Sequence, residues 1–299
     1  PALVERVASA RRADRHRPLA VLVGSNLLAA RLGRTLARRL DGLFNVRLVT
    51  FADVARSLAA AVGGAARSPI PRFAERAIVE ELLSTGDVPR VFEGAAGTKG
   101  FREALSATFA DLSEGGCTAE IARRLFAGGA SKARLGEKTI GALDLFARYR
   151  DRVEGAGGDL HSIFRDALRG DVPESIGSTV YAYGFYDFNE MQRRLIALLS
   201  TRADLEFFVP WSGGDEAYRF AAPLRERFEN EGLRIREAAG GVARAAAPAL
   251  LSLPGEEEEV REIARRILTL ARERGVPFED VAIVLASPQH YAGLVGETF

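Results

Sequence analysis

Apolar and polar positions along this chain switch between two periods. Residues 18–23 (PLAVLV) make a short unbroken apolar run, the pattern of a strand covered on both faces. Helical spacing takes over at 26–40, a second apolar run follows at 46–50 (VRLVT), and helical spacing returns at 51–62. A basic amphipathic stretch at 3–13 comes before them. This strand–helix–strand–helix order predicts a parallel α/β sheet. Between 72 and 171 the strand period disappears. Segments 73–83, 100–113, 118–127, 136–153 and 159–168 carry apolar residues at i, i+3, i+4 and i+7. Glycine-rich breaks at Gly94-Ala95-Ala96-Gly97, Gly115-Gly116, Gly128-Gly129 and Gly157-Gly158 separate them. The expectation is an all-helical insertion bounded by Gly63-Gly64 and Pro69-Ile70-Pro71 on its N-terminal side.

Strand patterns resume at 178–183 (STVYAY) and 205–209 (LEFFV), on either side of an amphipathic helix at 189–199. A further strand is expected at 250–253. The helix at 256–274 opens on four glutamates, which suits the positive end of its dipole. A strand at 281–285 (VAIVL) and a helix from 287 complete the pattern. The domain expectation is therefore one α/β domain from 1–71 and 172–249, a helical insertion at 72–171, and the start of a second α/β domain at 250–299. No internal repeat is apparent.

Composition narrows the chemistry. The 299 residues carry 41 basic and 40 acidic side chains, so no whole-chain field selects a polyanion, although a local patch remains open. Apolar content of 47% and a mean hydropathy near zero describe a water-soluble globular chain. One cysteine, Cys117, excludes an internal disulfide, a four-cysteine zinc site and an iron–sulfur cluster within these residues. Three scattered histidines, His16, His161 and His290, argue against a histidine metal site. No signal peptide or membrane-length apolar run is present, so the expected location is the cytoplasm and no membrane partner is expected. The chain begins at Pro1 without a methionine and stops at Phe299 inside a predicted helix, and is expected to be part of a longer protein.

The candidate chemistry begins where strand 18–23 runs into Gly24-Ser25 and a helix. A phosphate-binding loop belongs at such a junction and needs Gly-x-x-x-x-Gly-Lys-Ser/Thr. Its backbone N–H groups cradle phosphates, its Lys neutralises them and its hydroxyl holds Mg²⁺. Here the sequence is Gly24-Ser25-Asn26-Leu27-Leu28-Ala29-Ala30-Arg31, with neither the Lys nor the glycine-rich nest. Two readings stay open: a strand-to-helix turn capped by Ser25 or Asn26, and a residual anion site.

The segment Tyr183-Gly184-Phe185-Tyr186-Asp187-Phe188-Asn189-Glu190-Met191-Gln192 follows a strand and opens a helix. It resembles motif II of UvrD-type superfamily 1 helicases, Asp-Glu-Phe-Gln-Asp-Thr-Asn-x-x-Gln, with Phe185, Asp187, Asn189 and Gln192 in register. The two leading acids, which hold Mg²⁺ and activate water in that family, are replaced by Tyr183 and Gly184. Without a metal-holding carboxylate, phosphoryl-transfer chemistry lacks its central charge. Thr50-Phe51-Ala52-Asp53-Val54-Ala55 is similar to motif Ia, and Asp215-Glu216-Ala217-Tyr218-Arg219-Phe220 to motif III, with Asp215 where the family has its γ-phosphate-sensing Gln. The stretch 256–299 is similar to the opening of the second motor domain.

This set, in this order, resembles the N-terminal helicase-like half of the B subunit of AddAB-type helicase–nucleases. The resemblance implies a RecA-like 1A domain, a helical 1B insertion and the beginning of a 2A domain. It implies a degenerate nucleotide site at Gly24, Ser25, Asp187 and Gln192, with no catalytic residue, no metal ligand and neither ATP nor Mg²⁺ bound. It makes Thr50, Phe51, Tyr218, Arg219 and Phe220 the DNA-binding candidates. The implied partners are single-stranded DNA and an AddA-type helicase–nuclease subunit, in double-strand-break repair by recombination. A C-terminal PD-(D/E)xK nuclease with an iron–sulfur cluster is expected in that family beyond these residues, and scanning of single-stranded DNA for a hotspot sequence is implied without any residue to carry it.

Each candidate also has a plainer role. Asp187 and Gln192 fit a helix start, Phe51 a core position, and Tyr218 and Phe220 loop packing. Arg193-Arg194 and the arginines at 11, 12, 15, 17, 31, 34, 38 and 39 fit a solvated surface as well as a phosphate track. Cys117 reads as structural. Two rival functions remain: an active ATPase with a non-standard phosphate loop, built from Arg31 or Arg34 with Asp187, and a protein-interaction module without DNA binding.

Overall fold

The computed structural model describes residues 2–61, 68–85, 87–127, 136–170, 172, 176–211, 216–236 and 249–299. Gly63-Gly64, Gly128-Gly129 and Asp215 lie outside them. The chain divides into two compact units, Pro1–Gly240 and Gly241–Phe299.

The first unit is built on a four-stranded, all-parallel sheet: β1 (Leu19–Val23), β2 (Val46–Val49), β3 (Thr179–Tyr183) and β4 (Asp204–Phe208), in the order β2-β1-β3-β4. All five residues of β1 are buried, as the unbroken apolar run requires. Its side chains alternate between two cores. Leu19, Val21 and Val23 meet α1 (Ala2–Ala13) and α2 (Asn26–Leu40) through Leu3, Val7, Leu32 and Leu36. Ala20 and Leu22 face the opposite layer, made by α3 (Phe51–Ala61), α8 (Leu160–Ala167) and α9 (Glu190–Ser200).

Helices α4 (Arg72–Ser84), α5 (Lys99–Glu114), α6 (Ala119–Ala127) and α7 (Glu137–Gly155) enclose a separate core around Phe109, Phe146 and Tyr149. Helix α8, which follows, turns back to the sheet: its Ile163, Phe164 and Ala167 lie in the core of the α3 face. The change of allegiance occurs at Gly157 and Gly158, both at positive φ, and Ile70 N–H donates to Gly158 C=O at 2.9 Å, tying the entry of the helical segment to its exit.

A buried ionic network sits at the same joint. Arg150 on α7 donates through Nη1 to Asp159 Oδ2 at 2.5 Å and through Nη2 to Glu154 Oε1 at 3.0 Å and Ser162 Oγ at 3.1 Å. Asp159 also caps α8, with Ser162 returning the bond in a capping box. Burial works to raise the Asp159 pKa, but the Arg150 hydrogen bond and charge prevail and hold it below the usual carboxylate value.

In the second unit α11 (Glu256–Arg274) packs against α12 (Pro288–Thr298), with Val260 and Ile267 buried and Tyr291 Oη donating to Glu259 Oε2 at 2.7 Å. The strands expected at 250–253 and 281–285 are absent: both segments are irregular, and Leu250 and Val284 are almost fully exposed. An apolar run becomes a strand only when a neighbour accepts its backbone hydrogen bonds, and the described sheet consists solely of β1 to β4. A helix not expected, α10 (Ala222–Asn230), follows a 3₁₀ turn at Glu216–Ala221 and buries Leu224.

Two stability outcomes follow. Gly177 has φ +89°, and a Cβ there would lie 2.5 Å from the Pro18 carbonyl oxygen. Gly177→Ala is expected to cost about 1–3 kcal/mol or more, because strain and a backbone clash add. Arg150→Ala leaves the buried Asp159 carboxylate without its counter-charge and is expected to cost about 3–5 kcal/mol. Urea unfolding midpoints of the two variants against wild type measure both.

Candidate functional site

The C-terminal ends of parallel strands, with the helix N-termini that follow them, are where an open α/β sheet places a ligand. At β1 this edge carries apolar side chains. Ser25 caps α2, its Oγ accepting the Leu28 N–H at 3.2 Å. Leu28 lies over Gly184, where an added Cβ would sit 3.1 Å from Leu28 Cδ2. The Phe185 ring lies over Gly24, with Cε1 at 3.6 Å from a Cβ built there. Leu27 stands 78% exposed in the first turn of the helix. Arg31 and Arg34 start about 7.5 and 12 Å along the α2 axis from Asn26, at 1.5 Å per residue, beyond the turn where helix N–H groups are open.

The other half of the candidate nucleotide site is committed to backbone capping. Asp187 Oδ1 accepts the N–H of Phe188 at 2.7 Å. Asn189 and Gln192 form a capping box at the start of α9, with Asn189 Oδ1 accepting the Gln192 N–H at 2.9 Å and Gln192 Oε1 accepting the Asn189 N–H at 3.1 Å. Tyr183 and Gly184 supply no carboxylate, and among the described residues no group of three or more His, Cys, Asp or Glu side chains converges.

Thr50 and Asp53 repeat this device at the start of α3. Asp53 Oδ2 accepts from Thr50 N–H at 2.9 Å and Thr50 Oγ1 at 2.7 Å, and Arg56 donates to Oδ1 at 2.6 Å. Burial works to raise the Asp53 pKa, but the bonds from the Thr50 backbone and hydroxyl and from Arg56 prevail and lower it. Phe51 is buried, its ring 5.2 Å from Phe185 and 6.0 Å from Phe188. It presents no open face to a nucleobase, contrary to its place among the DNA candidates: position N1 of α3 points into the core.

The remaining candidates are outward. Phe220 is 50% exposed, Tyr218 is half-buried at a ring distance of 6.5 Å from it, and Arg219 is exposed and paired with Glu216 at 3.3 Å. The structure adds two rings that the motif comparison passed over. Tyr186 is 56% exposed and meets Phe220 edge to face at 5.1 Å. Trp211 lies beyond β4, with the Arg225 guanidinium 4.7 Å from its ring centroid. The signal for Tyr186 was present in the inward–outward order of Phe185, Tyr186, Asp187 and Phe188, of which only the phenylalanines are buried. Cys117 is half-buried and its thiol is pushed up by burial, away from the reactive thiolate.

The chain matches no family model. It is 25% identical over 310 residues to the B subunit of the ATP-dependent helicase/deoxyribonuclease of Pelotomaculum thermopropionicum, covering 87% of this chain and 26% of the relative. It is 27% identical over 305 residues to the protein of the same name from Desulforudis audaxviator, with the same coverage. The chain thus spans about a quarter of the length of the curated relatives it matches. Among the described residues no helix is long and apolar enough to cross a membrane.

Asp53→Ala is expected to cost about 0.5–1 kcal/mol at pH 7, the low end for a cap because the site is partly open to water. A lowered carboxylate pKa stabilises the fold above the unfolded-state value and is lost as pH falls through the folded value. The gap between variant and wild type should therefore close below about pH 4, read from thermal midpoints across a pH series.

Proposed function

We propose that this chain is a nucleotide-silent, helicase-like part of the B subunit of a helicase–nuclease, which guides one DNA strand and docks a motor subunit during double-strand-break repair. One observation carries the reading. The residues that resemble motifs Ia and II have structural employment: Phe51 and Phe185 pack in the core, Thr50 with Asp53 and Asn189 with Gln192 cap helices, and Asp187 binds its neighbour's N–H. The positions that differ include those whose chemistry would face a nucleotide: the Lys, the Mg²⁺-holding acids and the glycine nest. Leu28 and Phe185 occupy the ground where phosphates would approach. Such a pattern is what remains when a scaffold outlives its catalysis.

In this reading 1–71 and 172–249 form a RecA-like 1A domain, 72–171 is its 1B-type insertion, and 250–299 begins a 2A-type domain. ATP and Mg²⁺ bind to the partner, an AddA-type subunit, and any iron–sulfur cluster belongs to a nuclease segment outside these residues. The expected setting is the bacterial cytoplasm. The 41 basic and 40 acidic residues make DNA binding a local property, resting on the rings and cations at the C-terminal sheet edge.

Fluorescence anisotropy of a single-stranded oligonucleotide across a salt series, with and without Mg-ATP, tests the reading. The expected result is salt-sensitive binding that is indifferent to Mg-ATP, weakened by about 5- to 100-fold in Tyr218→Ala or Phe220→Ala, the range of one lost base stack. Saturable Mg-ATP binding in calorimetry would instead establish the non-standard ATPase, and absence of DNA binding at low salt would leave a protein-docking module.

A further inference from the structure

Between α4, α5, α7 and the start of α8 lies a cleft of about 510 Å³ that opens to solvent, within the size range of small-molecule sites. Val79, Phe109 and Ala110 give it an apolar lining. Its charged groups are unevenly matched. Asp159 is neutralised by Arg150, which donates to Oδ2 at 2.5 Å and to Oδ1 at 3.2 Å. Glu75 has no such partner. Among the described residues its carboxylate receives one hydrogen bond, from Tyr149 Oη to Oε2 at 3.4 Å, longer than a full O–H···O bond. Burial, and then the charge of Asp159, push the Glu75 carboxyl above the usual carboxylate value. Arg72 and Arg76 also line the cleft, one turn apart on the same face of α4. Both are exposed, and neither makes an ion pair among the described residues, although Arg72 stands at i,i+3 from Glu75. Ser113 is 4% exposed and lines the same cleft, yet its hydroxyl makes no hydrogen bond among the described residues.

We propose that this cleft binds a free amino acid, its ammonium against Glu75 and Tyr149, its carboxylate against Arg72 and Arg76, and its apolar side chain along Val79 and Phe109. The inference goes beyond strand guiding and stands without it. A simple anion would leave the desolvated Glu75 uncountered and would be repelled by it. A simple cation would meet two unpaired arginines. A zwitterion of a few ångströms answers both, because Glu75 and the arginines share one face of one helix and are neighbours across about 5–6 Å. Each contact is charge-assisted, the strong kind of hydrogen bond, and Tyr149 Oη can accept from the ammonium while donating to Glu75. The lining also joins two cores: Val79, Phe109 and Tyr149 belong to the helical core, whereas α8 places Ile163 and Phe164 against the sheet layer. A ligand held by α4, α5, α7 and the start of α8 would therefore stabilise the joint between them by mass action.

The 299-residue chain is titrated by calorimetry with each of the twenty standard L-amino acids, to about 10 mM. The proposal expects saturable one-to-one binding of at least one amino acid with an apolar side chain. Converting the carboxylate of that amino acid to its amide, or acetylating its amine, should each weaken binding about tenfold or more. Glu75→Gln should lose about tenfold on the amino acid while leaving its N-acetyl derivative unchanged, and Arg76→Gln should do the same while leaving the amide unchanged. Both variants are first checked by circular dichroism and thermal midpoint, so a folding defect is seen as such. The absence of saturable binding by all twenty would overturn the proposal. Equal affinity for the amino acid, its amide and its N-acetyl derivative would overturn it too, since the cleft would then select only an apolar body. Binding that neither Glu75→Gln nor Arg76→Gln weakens would place the ligand elsewhere and overturn it. None of these readouts involves DNA, so their failure leaves the strand-guiding reading standing.

Discussion

The aromatic packing of Phe51, Phe185 and Phe188 is the constraint around which the sheet domain is arranged. These three rings, within 5.2 to 6.0 Å of one another, join the start of α3 to the loop between β3 and α9. Phe188 continues to Phe207 on β4 and Phe207 to Phe228 on α10, so one connected set of rings links the loop after β2 to the far edge of the sheet. Buried aromatic pairs contribute about 0.5–1.5 kcal/mol each beyond area burial, and they do so only in restricted geometries. The loop after β3 therefore has little freedom: Phe185 and Phe188 must point inward, Tyr186 and Asp187 outward, and Gly184 must take a positive φ of 78° to turn the chain. The same inward Phe185 lies against Gly24 at the end of β1.

The joint at 150–162 plays the corresponding role for the helical part. Its core, around Phe109, Phe146 and Tyr149, shares no buried residue with the sheet cores. What connects it to α8 is largely polar: the Ile70–Gly158 backbone bond and the Arg150, Glu154, Asp159 and Ser162 network. Such a network holds a defined geometry because displacing a member strands a buried charge or hydrogen-bonding group. The insertion is thus fixed in orientation by bonds at its base, while its stability comes from its own apolar interior.

Much of this was visible in one dimension. The β1 run, the α9 spacing and the glycine breaks placed the elements to within a residue or two. The strand expectations at 250–253 and 281–285 did not hold, because an apolar run specifies a half-buried surface and not the neighbour that must pair with it. Helix α10 went unseen because its apolar pattern is sparse, with Leu224 its buried residue and charged side chains at 225, 226, 227 and 229. Among site residues, the absence of the phosphate-loop Lys and of the leading acids was plain from the residues themselves. The roles of Phe51 and Tyr186 were not, since both are aromatic residues beside a motif and only their burial separates them.

The sequence by itself determined the elements of the sheet domain, the helical character of the middle segment and the absence of a Lys at 24–31 and of carboxylates at 183 and 184, because periodicity and residue identity are local properties. Only the tertiary structure decided which retained motif residues are caps, which are core and which face water. Those outcomes depend on long-range contacts, such as Phe51 with Phe185 across 134 positions or Tyr186 with Phe220 across 34, that no local pattern encodes.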